Sequence, residues 1–207
     1  MSRISASDEE IFDLAEKAIV DDSLLQALLA GISSEQKSTA EKEKCNKVLR
    51  MISENHPEAI YDQWDRFAAM LKCDNAFSQF PAVYLLANLA AVDRENKFEA
   101  LAEDYFRLLD IGPVSVAAHV ALNAVKIAMA KPELRESIVG RLLSIEARGL
   151  EPGRRDLVKA YAIESLDTMY ESSGQKTAII NFATDLRTSS SPKARKAADK
   201  FLKKHKA

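Results

Sequence analysis

An all-α fold, arranged as a superhelical stack of about five helix pairs, is what this chain predicts. Three observations carry that reading. Glycine and proline are scarce, six each in 207 residues, while the helix formers Ala, Leu, Glu and Lys are abundant. Apolar residues recur at three- and four-residue spacing in segment after segment. The third observation is a period. Leu29, Leu71, Leu109, Ala147 and Leu186 each close the first helix of a pair, and they follow one another at steps of 42, 38, 38 and 39 residues. Such a chain buries the apolar stripe of each pair against the next pair.

The elements follow in order. Ser7-Asp8-Glu9-Glu10 reads as a capping box ahead of a helix with the stripe Ile11, Phe12, Leu14, Ala15, Ala18 and Ile19, ending near Val20. Asp21 or Asp22 caps a short helix over 23–30, and Gly31 is expected to stop it. Ser33 or Ser34 caps a helix that runs to about Asn55, polar in its first half and amphipathic through Cys45, Val48, Leu49 and Ile52. Pro57 opens a helix whose face is Ile60, Trp64, Phe67, Ala68 and Leu71. After the turn at Cys73-Asp74-Asn75, a helix over 76–92 contains Pro81, which kinks it or marks its first turn.

Asp93 caps the helix that carries Phe98, Leu101, Tyr105, Phe106 and Leu109. Gly112 and Pro113 lead into the most apolar helix of the chain, which ends at Lys131-Pro132. Pro132 opens the next helix, with Ile138 and Leu142. A glycine-containing turn over 148–153 precedes a helix over 154–170, and Ser172-Ser173-Gly174 ends it. The final pair spans 175–186 and 191–205. A single domain over 1–207 is expected, with an N-terminal helix over 1–22 and units at 23–55, 57–92, 93–131, 132–171 and 174–207.

Charge is balanced, 29 Lys plus Arg against 31 Asp plus Glu, so no global basic field for nucleic acid is present. The two cysteines, Cys45 and Cys73, lie in helical patterns and read as free thiols. No apolar run approaches the ~20 residues of a membrane span. The polar, acidic stretch from Met1 to Glu10 does not resemble a signal peptide. A cytoplasmic protein without cofactor or metal, contacting no membrane, is the expectation.

The second helices share a finer pattern. Val114-Ser115, Ala118 and Ala121-Leu122 align with Val158-Lys159, Ala162 and Ser165-Leu166, and with Ala194-Arg195, Ala198 and Phe201-Leu202. This resembles the HEAT-repeat consensus, in which Val-Arg is followed by spaced alanines and Ala-Leu. The resemblance runs from Ser23 to His205 and is clearest in the last three units. The family's turn aspartate has no clean equivalent before Lys159 or Arg195, so armadillo-type units remain open. Tetratricopeptide units fit less well, because their Trp and Gly pattern is missing. A HEAT-like stack implies a non-catalytic scaffold that binds a partner protein on the concave face lined by its second helices.

Candidate contact residues follow from that geometry. His119, Asn123 and Lys126 sit at i, i+4 and i+7 on the apolar helix and form one polar stripe. The alternative reading is the solvated edge of a buried helix. Lys159 and Tyr161 on the following second helix, and Tyr84 and Asn88 on the preceding one, extend the row. The C-terminal helix concentrates Lys193, Arg195, Lys196, Lys200, Lys203, Lys204 and Lys206 against Asp199 alone. It reads as a polar end cap of the stack or as a patch for an anionic partner, nucleic acid included.

No catalytic set emerges. His56, His119 and His205 share no metal-ligand spacing. Trp64 beside Asp62 and Asp65 invites comparison with HEAT-like DNA glycosylases, but its spacing to Ile60 and Phe67 is that of a core stripe. Asp93, Glu95, Glu99, Glu103 and Asp104 are expected on a solvated face.

Overall fold

The computed structural model describes residues 6–33, 36–147 and 149–206. Among them the chain forms eleven α-helices and no strand. They are α1 (Ala6–Val20), α2 (Asp22–Ser33), α3 (Thr39–Asn55), α4 (Trp64–Leu71), α5 (Ala76–Leu89), α6 (Lys97–Ile111), α7 (Val114–Ala130), α8 (Arg135–Leu143), α9 (Pro152–Met169), α10 (Lys176–Asp185) and α11 (Pro192–His205). The helices divide into two compact units, Met1–Val92 and Asp93–Ala207.

In the first unit α1 and α5 both pack on α3, and α4 packs on α5. The expected faces are the buried ones: Val48, Leu49 and Ile52 on α3, and Ile60, Trp64, Phe67 and Leu71 across Pro57–Leu71. Pro57 opens a 3₁₀ turn over Pro57–Gln63 rather than an α-helix, and α4 continues from it. Trp64 is 3% exposed, which fits the core reading of that residue. Pro81 lies well inside α5, not in its first turn, and Asn75 caps that helix by accepting the Ser78 amide at 2.8 Å. Cys45 is buried and Cys73 exposed, and both are free thiols.

Three N- and C-terminal signals were placed differently by the fold. Ser7 falls inside α1 rather than ahead of it, and its side chain lies outside the described residues. Asp21 does cap α2, its carboxylate accepting the Leu24 amide at 3.0 Å. Gly31 does not stop α2, which continues to Ser33. This glycine is instead a point of close approach: a Cβ there would lie 2.5 Å from the Cys45 sulfur. Gly31→Ala should therefore cost ~1–3 kcal/mol, measured by urea unfolding, and Cys45→Ala in the same chain should restore part of it. The cap of α3 is Ser38, not Ser33 or the undescribed Ser34. Ser38 and Glu41 form a reciprocal capping box, with Ser38 Oγ accepting the Glu41 amide at 3.3 Å and Glu41 accepting the Ser38 amide at 3.0 Å.

In the second unit α6 packs on α7, α7 along α9, and α9 on α11, while α8 meets α7, α9 and α10. The centre of this unit is α7. Its alanines at 117, 118, 121, 124 and 128 are all buried, so a neighbouring backbone can come close. α9 uses that space: the buried Ser165 hydroxyl donates to the Ala121 carbonyl at 2.6 Å and to Leu122 at 3.1 Å. A T-shaped aromatic cluster of Phe98, Tyr105 and Phe106 fills the α6 side.

Polar side chains tie successive helix pairs of this unit. Asp93 is not on a solvated face. Its carboxylate is buried, accepts the Lys97 and Phe98 amides at 3.0 and 2.9 Å, and lies 3.3 Å from Lys131 Nζ. That ammonium also donates to the Asp93 carbonyl and to Asn96. Glu95, Glu99 and Glu103 are exposed as expected. Asp110 accepts the Glu146 and Ala147 amides at 2.8 and 3.0 Å, and Arg141 pairs with Glu103.

Glu136 at the start of α8 holds the next turn. Its carboxylate accepts from the Gln175 side chain, the Gly174 amide and the Ser173 hydroxyl. The Gln175 bond, followed by that from Gly174, holds the Glu136 carboxyl below the ordinary 4.5. A lowered carboxyl stabilises the fold above its unfolded value and loses that contribution as pH falls through the folded one. Glu136→Gln should thus be destabilising by under ~1 kcal/mol at neutral pH. The difference from the wild type should fade in urea titrations run below the ordinary glutamate range.

Candidate functional site

The residues singled out from the sequence lie mostly on α7, α9 and α11 of the second unit. Their environments separate them into two kinds. Asn123 is 1% exposed, and its amide donates back to the His119 carbonyl at 2.8 Å. It belongs to the α7 interior and leaves the contact row. Tyr84 and Asn88 are likewise buried in the first unit, Tyr84 under the Arg50 guanidinium at 4.0 Å and Asn88 bonded to Ser53 at 2.8 Å. They do not extend a surface. Both corrections have one cause: polar side chains on an apolar helix can be satisfied inside the protein.

His119, Lys126, Lys159 and Tyr161 remain half-buried at the surface. The His119 ring lies 6.1 Å from the Tyr161 ring, across the α7–α9 boundary. Lys193 of α11 places its ammonium 3.4 Å from the centroid of the same tyrosine and 3.2 Å from Glu164. The fold therefore assembles a continuous row, His119–Tyr161–Lys193, that steps over three helices. Lys159 points elsewhere, its ammonium 5.9 Å from the Phe182 ring of α10.

Two grooves flank α9. The one between α7 and α9 has a volume of about 610 Å³, with apolar walls from Val114, Ala118, Leu150 and Leu157 and polar groups from His119, Arg154 and Tyr161. The other, between α9 and α11, measures about 540 Å³ and includes Glu164, Asp167, Lys193, Lys196, Lys200 and the ring of Phe201. Lys193 stands over Tyr161 of the first groove while lining the second.

The basic residues of α11 are not equivalent. Lys193 is held by Glu164, Lys204 by Asp167 at 2.9 Å, and the Arg195 guanidinium donates to the Ser189 carbonyl at 2.6 Å. Lys196, Lys200 and Lys203 are exposed and have no ion-pair partner among the described residues. At i, i+4 and i+7 they share one face of α11. Ser191 precedes the helix and caps it, its hydroxyl accepting the Ala194 amide.

His205 was legible only as part of the tail. It sits 2.6 Å from Asp167 and stacks on Tyr170 and Phe201 at 4.1 and 4.6 Å between ring centroids. Burial works to raise the Asp167 carboxyl, but hydrogen bonds from Lys204 and His205, with their charges, hold it below the usual aspartate range. This cluster fastens the end of α11 to α9. Arg154, the cation of the first groove, was also missed, because nothing in its sequence surroundings sets it apart.

Among the described residues no group of three His, Cys, Asp or Glu converges as a metal set, and no helix is long and apolar enough to cross a membrane. No protein-family model and no curated protein matches the chain. Among solved structures, the crystal structure of an engineered protein from the Northeast Structural Genomics Consortium is similar over 96% of this chain and 89% of its own, with 18% identity and a TM-score of 0.52. At that identity the likeness speaks for the fold alone. The chain is an all-helical protein whose helices pack against one another.

Proposed function

We propose that this protein is a HEAT-like helical-repeat module, non-catalytic, that binds a partner protein across the face made by α7, α9 and α11. One observation carries the repeat reading. Most side-chain hydrogen bonds between distant residues span 33 to 40 positions: Arg66 to Leu29 at 37, Lys131 to Asp93 at 38, Asp110 to Ala147 at 37, Glu136 to Gly174 at 38, and Lys204 to Asp167 at 37, while Ser165 reaches α7 at 43 and 44. A chain in which each helix pair touches its neighbours produces that regularity. It is close to the period near 40 in the sequence, although two of the residues read there as helix ends are not: Leu29 lies inside α2 and Ala147 beyond the end of α8. The binding reading is supported by the row His119–Tyr161–Lys193 and by the groove beside it, where an aromatic, a cation and apolar walls meet. Such combinations anchor protein interfaces.

The test is capture of partners from nuclease-treated lysate by the wild type and by a His119→Ala/Tyr161→Ala/Lys193→Ala variant. The module reading expects a partner that survives nuclease and is lost with the variant, while circular dichroism is unchanged. A partner retained by a folded variant contradicts the assigned face. The second reading, nucleic acid on α11, draws on the exposed Lys196, Lys200 and Lys203. It expects every captured partner to vanish with nuclease and affinity that falls steeply with salt.

A further inference from the structure

Resting on the binding-module reading, we propose that the occupant of this face is an extended acidic segment of a partner protein. One bulky apolar residue of it lies in the α7–α9 groove, and its carboxylates meet Lys196 and Lys200 beside the α9–α11 groove. Charge complementarity decides the sign. The acids that line the second groove are already engaged, Glu164 by Lys193 and Asp167 by Lys204 and His205. Lys196 and Lys200 line the same groove without a counter-charge among the described residues. Arg154 adds a cation at the first groove, whose Val114, Ala118, Leu150 and Leu157 walls suit an aliphatic or aromatic side chain.

The geometry also sets a spacing. The grooves lie on opposite sides of α9 and are also offset along it, Arg154, Leu157 and Tyr161 lining the first and Ile163, Glu164 and Asp167 the second. One interhelical distance across, ~8–10 Å, and roughly seven residues of helix along, ~11 Å, put their centres ~14 Å apart. An extended chain advances ~3.3 Å per residue. The apolar anchor and the first carboxylate are then about four residues apart. Nucleic acid fits less well on two counts. Glu164 and Asp167 interrupt the run of cations that a phosphate backbone follows. The aromatic rings nearby are not free stacking platforms, since Lys193 covers Tyr161 and Phe201 is 1% exposed.

A phage-displayed library of random 12-residue peptides, panned on the full chain, on a Lys196→Glu/Lys200→Glu variant and on a Tyr161→Ala variant, tests this. Both lysines are exposed, so the charge-reversed chain should melt as the wild type does. The expected winners on the wild type carry two or more acidic residues with one bulky apolar residue about four positions away. Synthetic copies of them should bind the charge-reversed chain about tenfold or more weakly. Winners that are neutral or basic, or that bind the charge-reversed chain equally well, overturn the proposal. If those winners are still lost on Tyr161→Ala, the binding-module reading stands without it. Failure to enrich any peptide, with a 20-residue oligothymidylate binding instead, overturns both.

Discussion

Lys131→Met is expected to destabilise the second unit by ~3–5 kcal/mol, the cost of leaving one member of a buried ion pair alone. The Asp93 side chain is 0% exposed and that of Lys131 is 7% exposed. Water therefore cannot take over for either charge. Asp93 has a double task, because its two oxygens also cap α6 through the Lys97 and Phe98 amides. Asp93→Asn keeps part of the cap but strands the ammonium, which retains only the Asp93 carbonyl and Asn96. It should cost a similar ~3–5 kcal/mol. The double variant Lys131→Met/Asp93→Asn removes both charges and should cost far less than the two singles added together. In a chain of this size each single should lower the melting temperature by about 10 °C. Additive costs would mean the two groups do not act as a pair.

The second large effect is expected at the α7–α9 contact. Ser165 is 1% exposed and its hydroxyl reaches the α7 backbone. A graded series separates the hydrogen bond from the close approach. Ser165→Ala should cost ~1 kcal/mol, the worth of one such bond. Ser165→Leu should cost ~3 kcal/mol or more, because an isobutyl group beside Ala121 forces two close-packed backbones apart. Thermal melts followed by circular dichroism would read both. If leucine proved no worse than alanine, the small residues of α7 would not be holding α9 close.

Much of the helical layout was legible because it rests on local chemistry. Asp21 and Asp93 act as the caps the sequence suggested, Asn75 caps α5 from the turn read there, and the breaks at Pro57, Pro132 and Gly174 fall where the helices change. The cap of α3 could have been read too. Ser38-Thr39-Ala40-Glu41 is a capping-box sequence, overlooked beside the serines before it. Gly31 could not be read, since its role depends on a sulfur from another helix. A glycine late in a helical pattern looks the same whether it ends the helix or admits a neighbour.

The candidate site was half legible for the same reason. Helical spacing put His119, Asn123 and Lys126 on one stripe, but burial of Asn123 is decided by the packing around α7. The union of His119, Tyr161 and Lys193 spans three helices and leaves no local signal. Likewise the charge run of α11 showed its sign but not its division into lysines tied to Glu164 and Asp167 and lysines facing out. A lysine at a helix end reads as solvated, so the burial of Lys131 also had to come from the fold.

The measurement closest to the central claim is native-state hydrogen exchange on Phe201→Ala. Phe201 is 1% exposed, stacks on Tyr170 and His205, and lies in the last helix. Its truncation should cost ~3–5 kcal/mol locally. In a nearest-neighbour stack of helix pairs the lost protection should be confined to α9, α10 and α11, with α6 and the start of α7 exchanging as in the wild type. Equal loss of protection in every helix of the second unit, α6 included, would contradict the stack and mark that unit as one cooperative globule.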